Sequence, residues 1–437
     1  MKAQSCAIDV SEAYAIPAAL DRVAFACLCA FVFAMPWEDS IPLLDGFVIG
    51  RWIGLLTFAL VALRIGVTDH FRKPSTLHGL MCALMAWAGL SIIWTIDRQS
   101  TLSRAGTYIQ LLAAVWMIWE LALTDRRVLD LLQSYVVGTS VLAVSTIVNF
   151  AMGRQAADLW AEAGKTKWHD FRYSAYGINE NDLGLMLALS VPMTVYLLTR
   201  KQGPVMTVFC WLHIGLCFTA MLLCGSRGAL FAAIIGLGLF PMIMSRLPRW
   251  QRMAFVLACA AGVTIGVYLV PEEAWSRFQT VGTVITEGTL THRTVLWSAG
   301  LEAFRNHAFV GVGAGAYGTA VLRAVDMPYV AHNTFISVLV ELGVTGALLL
   351  LALLAALYYC ASRMRYVEKC FWSVLLTVWT VGVCALTWEY NKATWLLFGL
   401  LAAHVYSQRS SQRSAFSGQL SALSSQLPTP NRSRWQS

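Results

Sequence analysis

Residues 333–361 read NTFISVLVELGVTGALLLLALLAALYYCA, an apolar run whose one charged side chain is Glu341. About 20 apolar residues in a helix cross roughly 30 Å of hydrocarbon, so this run is long enough to span a membrane. Similar runs occur at 22–37, 47–65, 79–95, 105–123, 128–150, 182–199, 205–224, 228–246, 252–270, 369–387 and 391–407. Of 437 residues, 57% are hydrophobic and 13% charged, whereas soluble domains carry about 25% charged residues. Lipid offers no partner to a backbone N–H or C=O, and a helix satisfies both internally. The sequence therefore predicts an all-α polytopic membrane protein with about 12 transmembrane helices and a large helical extracytoplasmic loop before the tenth span.

The formal charge of +8 reads as topology and not as a nucleic-acid surface. With a cytoplasmic N-terminus, the cytoplasmic face collects Arg64, Arg72, Lys73, Arg126, Arg127, Arg200, Lys201, Arg246, Arg249, Arg252, Arg363, Arg365 and Lys369, as the positive-inside rule requires. The chain then divides into nine spans over 1–270, with an outer loop at 151–181, a long outer loop at 271–331, and three spans over 332–407. A Ser- and Gln-rich tail at 408–437 is expected to be disordered and cytoplasmic. In the long loop, Trp297, Leu301, Phe304 and Ala308 recur at helical spacing and suggest an amphipathic helix near the membrane surface. Asp9 and Glu12 stand where a cleaved signal would be basic, so the first span is expected to remain as an anchor. The 11 cysteines lie almost entirely in or beside apolar runs with no zinc spacing, and neither disulfide nor metal is expected.

The outer face also receives Arg51, Arg104, Arg154, Arg172, Arg227, Arg293, Arg305 and Arg323, which the positive-inside rule does not explain. Guanidinium is a permanently charged planar fork, and several converging on one place suit a pyrophosphate headgroup. Arg227 sits in Cys224-Gly225-Ser226-Arg227-Gly228-Ala229, a tight turn whose small neighbours let a headgroup approach. An interfacial arginine on lipid phosphates fits the same pattern. Arg293 opens the loop helix in Thr291-His292-Arg293-Thr294, where free N–H groups add to its charge. Arg51 begins the second span and reads equally as an anion ligand or an interfacial anchor.

Among the histidines, His332 in Ala331-His332-Asn333-Thr334-Phe335 stands where the long loop meets the tenth span. An imidazole of ordinary pKa accepts a proton from a sugar hydroxyl at neutral pH. His292 and His307 compete for that role. Glu341 lies about 13 Å along the helix axis from His332 and on its opposite side, which fits a structural role. Gly313-Ala314-Gly315-Ala316-Tyr317-Gly318 matches G-x-G-x-x-G but follows no strand, so it reads as flexible loop packing and not as a dinucleotide site.

The run from Thr291 to Gly318, with Arg293, Trp297, Phe304, His307 and Val310-Gly311-Val312-Gly313, resembles the O-antigen ligase and polymerase superfamily. So do Ala331-His332-Asn333-Thr334-Phe335 and Glu341-Leu342-Gly343-Val344-Thr345-Gly346. The resemblance extends to Ser226-Arg227-Gly228-Ala229 and to Asn179-Glu180-Asn181-Asp182-Leu183-Gly184, where Asn181 matches an asparagine at the start of a span. It covers the second half of the chain well and the first half only through span number. It implies that His332 is the catalytic residue and that Arg227 and Arg293 hold a pyrophosphate. Arg51 joins them as a pyrophosphate-binding candidate, with Asn181, Arg305 and Arg104 as further substrate-binding candidates and no cofactor.

The resemblance further implies a glycan carried on undecaprenyl pyrophosphate and attacked at its anomeric carbon by an acceptor hydroxyl, with inversion and without a metal. Within the superfamily the expectation is an O-antigen ligase of the Gram-negative inner membrane, delivering the glycan to lipid A-core on the periplasmic side. The compact second loop directly before the histidine span favours it. A polymerase extending the glycan on its polyprenyl carrier has the same motifs. A protein O-oligosaccharyltransferase would call for an appended domain to capture a polypeptide, and a glycolipid transporter for charges deep within its spans.

Overall fold

The computed structural model describes residues 10–40, 48–162, 172–200, 202–239, 241–245, 247–269, 293–325 and 328–426. They form helices and connecting turns, with no strand among the described residues. In chain order these are α1 (Val10–Ala34), α2 (Ile49–Thr68), α3 (Thr76–Leu90), α4 (Arg98–Leu121), α5 (Asp125–Ala151), α6 (Ala156–Glu162), α7 (Glu180–Leu198) and α8 (Pro204–Leu223). There follow α9 (Arg227–Leu239), α10 (Pro241–Met244), α11 (Arg249–Leu269), α12 (Arg293–Asn306), α13 (Tyr317–Val325), α14 (Thr334–Ser362), α15 (Tyr366–Gly382) and α16 (Lys392–Gln426).

Seven described helices are long and apolar enough to cross a membrane: α2, α3 with the turn after it, α5, α7, α8, α11 and α14. The other expected stretches fall on α1, α4, α9 with α10, α15 and α16, which do not reach that length and apolarity over their described residues. The expected count of 12 is therefore not reproduced. For 228–246 the reason is local, because α9 has 13 residues and a new helix begins at Pro241, a residue that tolerates a helix start and not its interior. The last helix runs on through Gln426, into the stretch whose composition suggested disorder.

Polar side chains start the helices at one end of the bundle. Asp97 accepts from the Ser100 N–H at 3.0 Å, Asn179 from Asn181 at 2.9 Å and Asn333 from Ile336 at 3.0 Å, satisfying donors that a helix start leaves over. In the middle, α7 is buried along nearly its whole length among α5, α8, α9 and α15. Small residues let these helices close: a Cβ on Gly184 would fall 2.7 Å from that of Ala229, and one on Gly236 would fall 2.6 Å from Val378. At the opposite end the basic loop residues form a belt of ion pairs, with Arg64 2.8 Å from Asp21, Arg365 3.0 Å from Asp125 and Arg200 against Glu368. Arg72 lies against the rings of Trp119 and Tyr406, at 3.6 and 4.0 Å.

Helix α14 is broken near its start. Gly343 has φ 69° and ψ −171°, a conformation almost confined to glycine. The break frees the carbonyls of Val340 and Glu341, and the Val312 and Gly313 N–H groups take them at 3.0 and 2.9 Å. Beyond the break, the Val344 N–H donates to Ala308 O at 2.8 Å. The glycine-rich segment 311–315 is thus fixed in the break, not loosely packed as its composition suggested. Gly311, Gly313 and Gly315 all have positive φ, and a Cβ on Gly311 would fall 2.3 Å from Glu341 O. On its other side Ala314 N donates to Ser91 Oγ at 3.0 Å and Trp94 Nε1 to Val310 O at 3.1 Å, tying the segment to the junction of α3 and α4.

A small second core of Leu296, Val312, Ala316, Tyr317, Val321 and Ala331 holds α12 and α13 against this segment. The loop helix expected from Trp297, Leu301, Phe304 and Ala308 is present, but its buried face is shifted. Leu296 and Gly300 are buried, Leu301 is exposed, and Ala308 lies past the helix end. Gly343→Ala should lower stability by about 1–3 kcal/mol or more, through backbone strain and a Cβ 2.4 Å from Phe309 O. Thermal unfolding in detergent tests this, with Gly89→Ala, whose Cβ meets nothing within 4 Å, as the expected neutral control.

Candidate active site

His332 stands just before Asn333, the N-cap of α14, and its backbone is left-handed with φ 48°. A non-glycine residue holds that conformation only when its surroundings enforce it. Here the enforcement is a clamp from the loop between α15 and α16. The Thr334 N–H donates to Val383 O at 2.9 Å, its hydroxyl donates to Leu386 O at 2.9 Å, and that hydroxyl accepts from Trp388 N at 2.8 Å. Asn333 Nδ2 adds a bond to Cys384 O at 3.0 Å. From the other side, Trp297 Nε1 of α12 donates to Ala331 O at 2.8 Å. The half-buried imidazole has its pKa lowered to about 4, by burial first and then by the charge of Arg293. It is therefore neutral at pH 7 and able to accept a proton.

Arg293 is the first residue of α12, one helical turn before Trp297, so the helix that clasps Ala331 also brings this arginine to His332. Its pKa is lowered by burial and then by the positive charges of Arg227 and Arg172. Three guanidinium groups from distant parts of the chain are thus within electrostatic reach of one another. Arg227 opens α9 after Gly225, whose φ is 58°. Its turn is packed tightly, since a Cβ on Gly228 would fall 2.8 Å from that of Ala385 in the clamp loop. Arg172 is buried; Nε donates to Cys224 O at 2.8 Å, Nη2 to Asn181 Oδ1 at 3.0 Å, and Nη1 lies 3.6 Å from Glu180 Oε2.

Residues 212–351 match a family model described as O-Antigen ligase. The chain resembles the O-antigen ligase superfamily. The exopolysaccharide production protein ExoQ of Rhizobium meliloti (strain 1021) is 31% identical over 140 residues, which cover 29% of this chain and 32% of that protein. The match therefore spans about a third of that relative's length. Of the candidate site residues, Arg227, Arg293, Arg305 and His332 lie within the family-matched segment, and Arg51, Arg104 and Asn181 outside it.

The remaining candidates separate. Asn181 reaches the cluster as a hydrogen-bond partner of Arg172. Arg305 is exposed at the far end of α12, about 18 Å along the axis from Arg293. His307 turns back on that helix end, with Nδ1 3.3 Å from Ala303 O, and His292 lies outside the described residues. Arg51 is exposed on α2 and lines a groove between α2 and α4.

Arg104 is half-buried among acids, with Nη1 3.5 Å from Glu389 Oε1, its guanidinium 3.4 Å over the Tyr390 ring, and the Glu341 charge acting on it. Glu341 Oε2 accepts from Gly315 N at 2.6 Å, while Glu389 Oε1 accepts from Ser337 Oγ at 3.1 Å. Burial raises the Glu389 pKa, against the pull of Arg104 and with the push of Glu341. This network secures the glycine-rich segment and the clamp loop on either side of the first turns of α14.

Arg172 is the site residue that sequence reasoning counted on the outer face but did not single out. The available signal was Glu180, Asn181 and Asp182 opening a helix that is apolar from Leu183 on, since a buried carboxylate there needs a cation. Substituting Arg293→Gln removes one of the two causes that depress His332, so the histidine pKa should rise from about 4 toward the ordinary value. NMR titration of labelled histidine in nanodiscs measures it, and Arg305→Gln should leave it unchanged.

Proposed function

We propose that the chain is a glycosyltransferase of the O-antigen ligase type, acting at the extracytoplasmic face of the inner membrane with both termini cytoplasmic. The supporting observation is a neutral imidazole on a clamped backbone beside the charge of Arg293, which Arg227 and Arg172 approach. The donor is a glycan on undecaprenyl pyrophosphate, and the acceptor is a sugar hydroxyl of lipid A-core. His332 accepts the hydroxyl proton as the oxygen forms its bond to the anomeric carbon. The bond from that carbon to the pyrophosphate oxygen breaks, and the pyrophosphate leaves with the electron pair. Arg293, Arg227 and Arg172 stabilise the charge that develops on it. Attack opposite the leaving group inverts the anomeric configuration, and no divalent metal takes part.

The similarity to ExoQ, an exopolysaccharide production protein, favours a second reading in which the acceptor is another carrier-linked glycan and the chain is a polymerase. Incubating the purified protein with undecaprenyl-pyrophosphate-linked glycan, with and without lipid A-core, in excess chelator separates the two. Glycan on lipid A-core supports the ligase, longer glycan on the polyprenyl carrier supports the polymerase, and loss of turnover in chelator overturns the metal-free mechanism. His332→Ala should lose about a hundredfold or more of the rate while still binding donor. Arg227→Ala and Arg293→Ala should each weaken donor binding about tenfold or more, as for a lost hydrogen bond to a charged group.

A further inference from the structure

The groove between α2 and α4 has a volume of about 340 Å³ and a mostly apolar wall, formed by Gly54, Leu55 and Phe58 on one side and Ile109, Ala113 and Met117 on the other. Its polar groups are Arg51 near the start of α2, Lys392 at the start of α16, and Thr107 and Gln110 two to three turns into α4. From Arg51 to Phe58 the groove descends about 10 Å along α2, a helix apolar enough to cross a membrane and mostly exposed along its length. Lys392 is neutralised by Glu38. The exposed Arg51 guanidinium has no hydrogen-bond or ion-pair partner among the described residues. Val48 caps α2 without a side-chain hydrogen bond, so the helix start adds partial positive charge beside it.

One loop joins this groove to the arginine cluster. It runs from Ala385, packed against Gly228 in the Arg227 turn, to Lys392 in the groove wall, and between them it clamps Asn333 and Thr334 next to His332. The loop that holds the residues next to the candidate base thus reaches both the cluster and the groove. Hydrocarbon fits the apolar part of the groove, and an anionic headgroup complements its arginine end.

We propose that this groove seats an acyl chain of the lipid-anchored acceptor, with a phosphate of its headgroup against Arg51, a reading that rests on the ligase-type transfer proposed above. Donor and acceptor are then held by separate cations joined through the loop that clamps the residues next to His332. Arg51 thereby serves the acceptor lipid and not the donor pyrophosphate.

The test uses the full chain in phosphatidylcholine nanodiscs with lipid A carrying a photoreactive group in one acyl chain, the cross-linked positions being mapped by peptide mass spectrometry. Cross-links should concentrate at 51–58 and 107–117. Arg51→Glu should lower them about tenfold, Ala113→Trp should block them by filling the groove, and excess undecaprenyl pyrophosphate should leave them unchanged. Leu55→Trp, on an exposed position, fills the groove from the other wall if Ala113→Trp does not fold.

Cross-links spread evenly over lipid-facing helices such as α11, or insensitive to Arg51→Glu, would overturn the proposal. Displacement by undecaprenyl pyrophosphate would overturn it as well, by assigning the groove to the carrier chain. Because labelling needs no turnover, a failure of the transfer reading is seen separately, as absent glycan transfer with the cross-links intact.

Discussion

A helix that breaks inside a membrane must find new partners for the carbonyls it releases, and at Gly343 those partners are the N–H groups of Val312 and Gly313. The exchange sets the position of everything between them. The segment that fills the break joins α12 to α13, so fixing it fixes the helix that carries Arg293 at its start and Trp297 one turn later. Trp297 holds the backbone immediately before His332. The adjacency of base and arginine is thus a consequence of backbone hydrogen bonding several turns away. The same break leaves Glu341 able to accept from Gly315 N, which locks the segment from a second side.

The charges at this end of the bundle are of two kinds, distinguished by what surrounds them. Arg104 is enclosed by Glu389, Glu341 and the Tyr390 ring. A cation so placed cannot be removed without stranding its carboxylates, a loss of about 3–5 kcal/mol in comparable cases. That group holds loops together. Arg293 is depressed by burial and by two other arginines acting in the same direction. Glu180 answers Arg172, and the like-charge cost at Arg293 is one that an arriving anion would offset, as the proposed binding of pyrophosphate requires.

The helical membrane class was legible because apolar runs of spanning length leave few alternatives in lipid. His332 and Arg227 stood out at junctions of a loop and an apolar run and Arg293 at the start of the loop helix, but it was the family resemblance that selected His332 over His292 and His307. The break in α14 was not, since Gly343 inside such a run looks like an ordinary small packing residue, and its conformation depends on a partner segment that sequence spacing does not reveal. The arginines assigned to the outer face could be counted but not sorted: Arg104 meets Glu389 and the Tyr390 ring, Arg172 meets Asn181 and Glu180, and Arg305 meets solvent. The face of α12 was misjudged for a related reason. Helical period fixes which residues align, but Leu296 and Gly300 are buried because Tyr317 packs on them, its hydroxyl 2.8 Å from Leu296 O.

A histidine with pKa near 4 is a weak base, which bears on the order of events in the proposed transfer. Part of that depression comes from Arg293, and Arg293 belongs to the arginine cluster proposed to hold the pyrophosphate. Donor binding would bring negative charge to the arginine that weakens the base, offsetting its effect on the imidazole and raising the pKa. Before donor binding the imidazole is neutral at pH 7, so no proton has to be lost first. What donor binding changes is its affinity for the acceptor proton, which increases once a leaving group is in place. Linkage runs in both directions, and a proton arriving on His332 would in turn strengthen the attraction for the departing pyrophosphate. Proton transfer and leaving-group stabilisation are then coupled through one side chain, Arg293, which the helix break at Gly343 holds beside both.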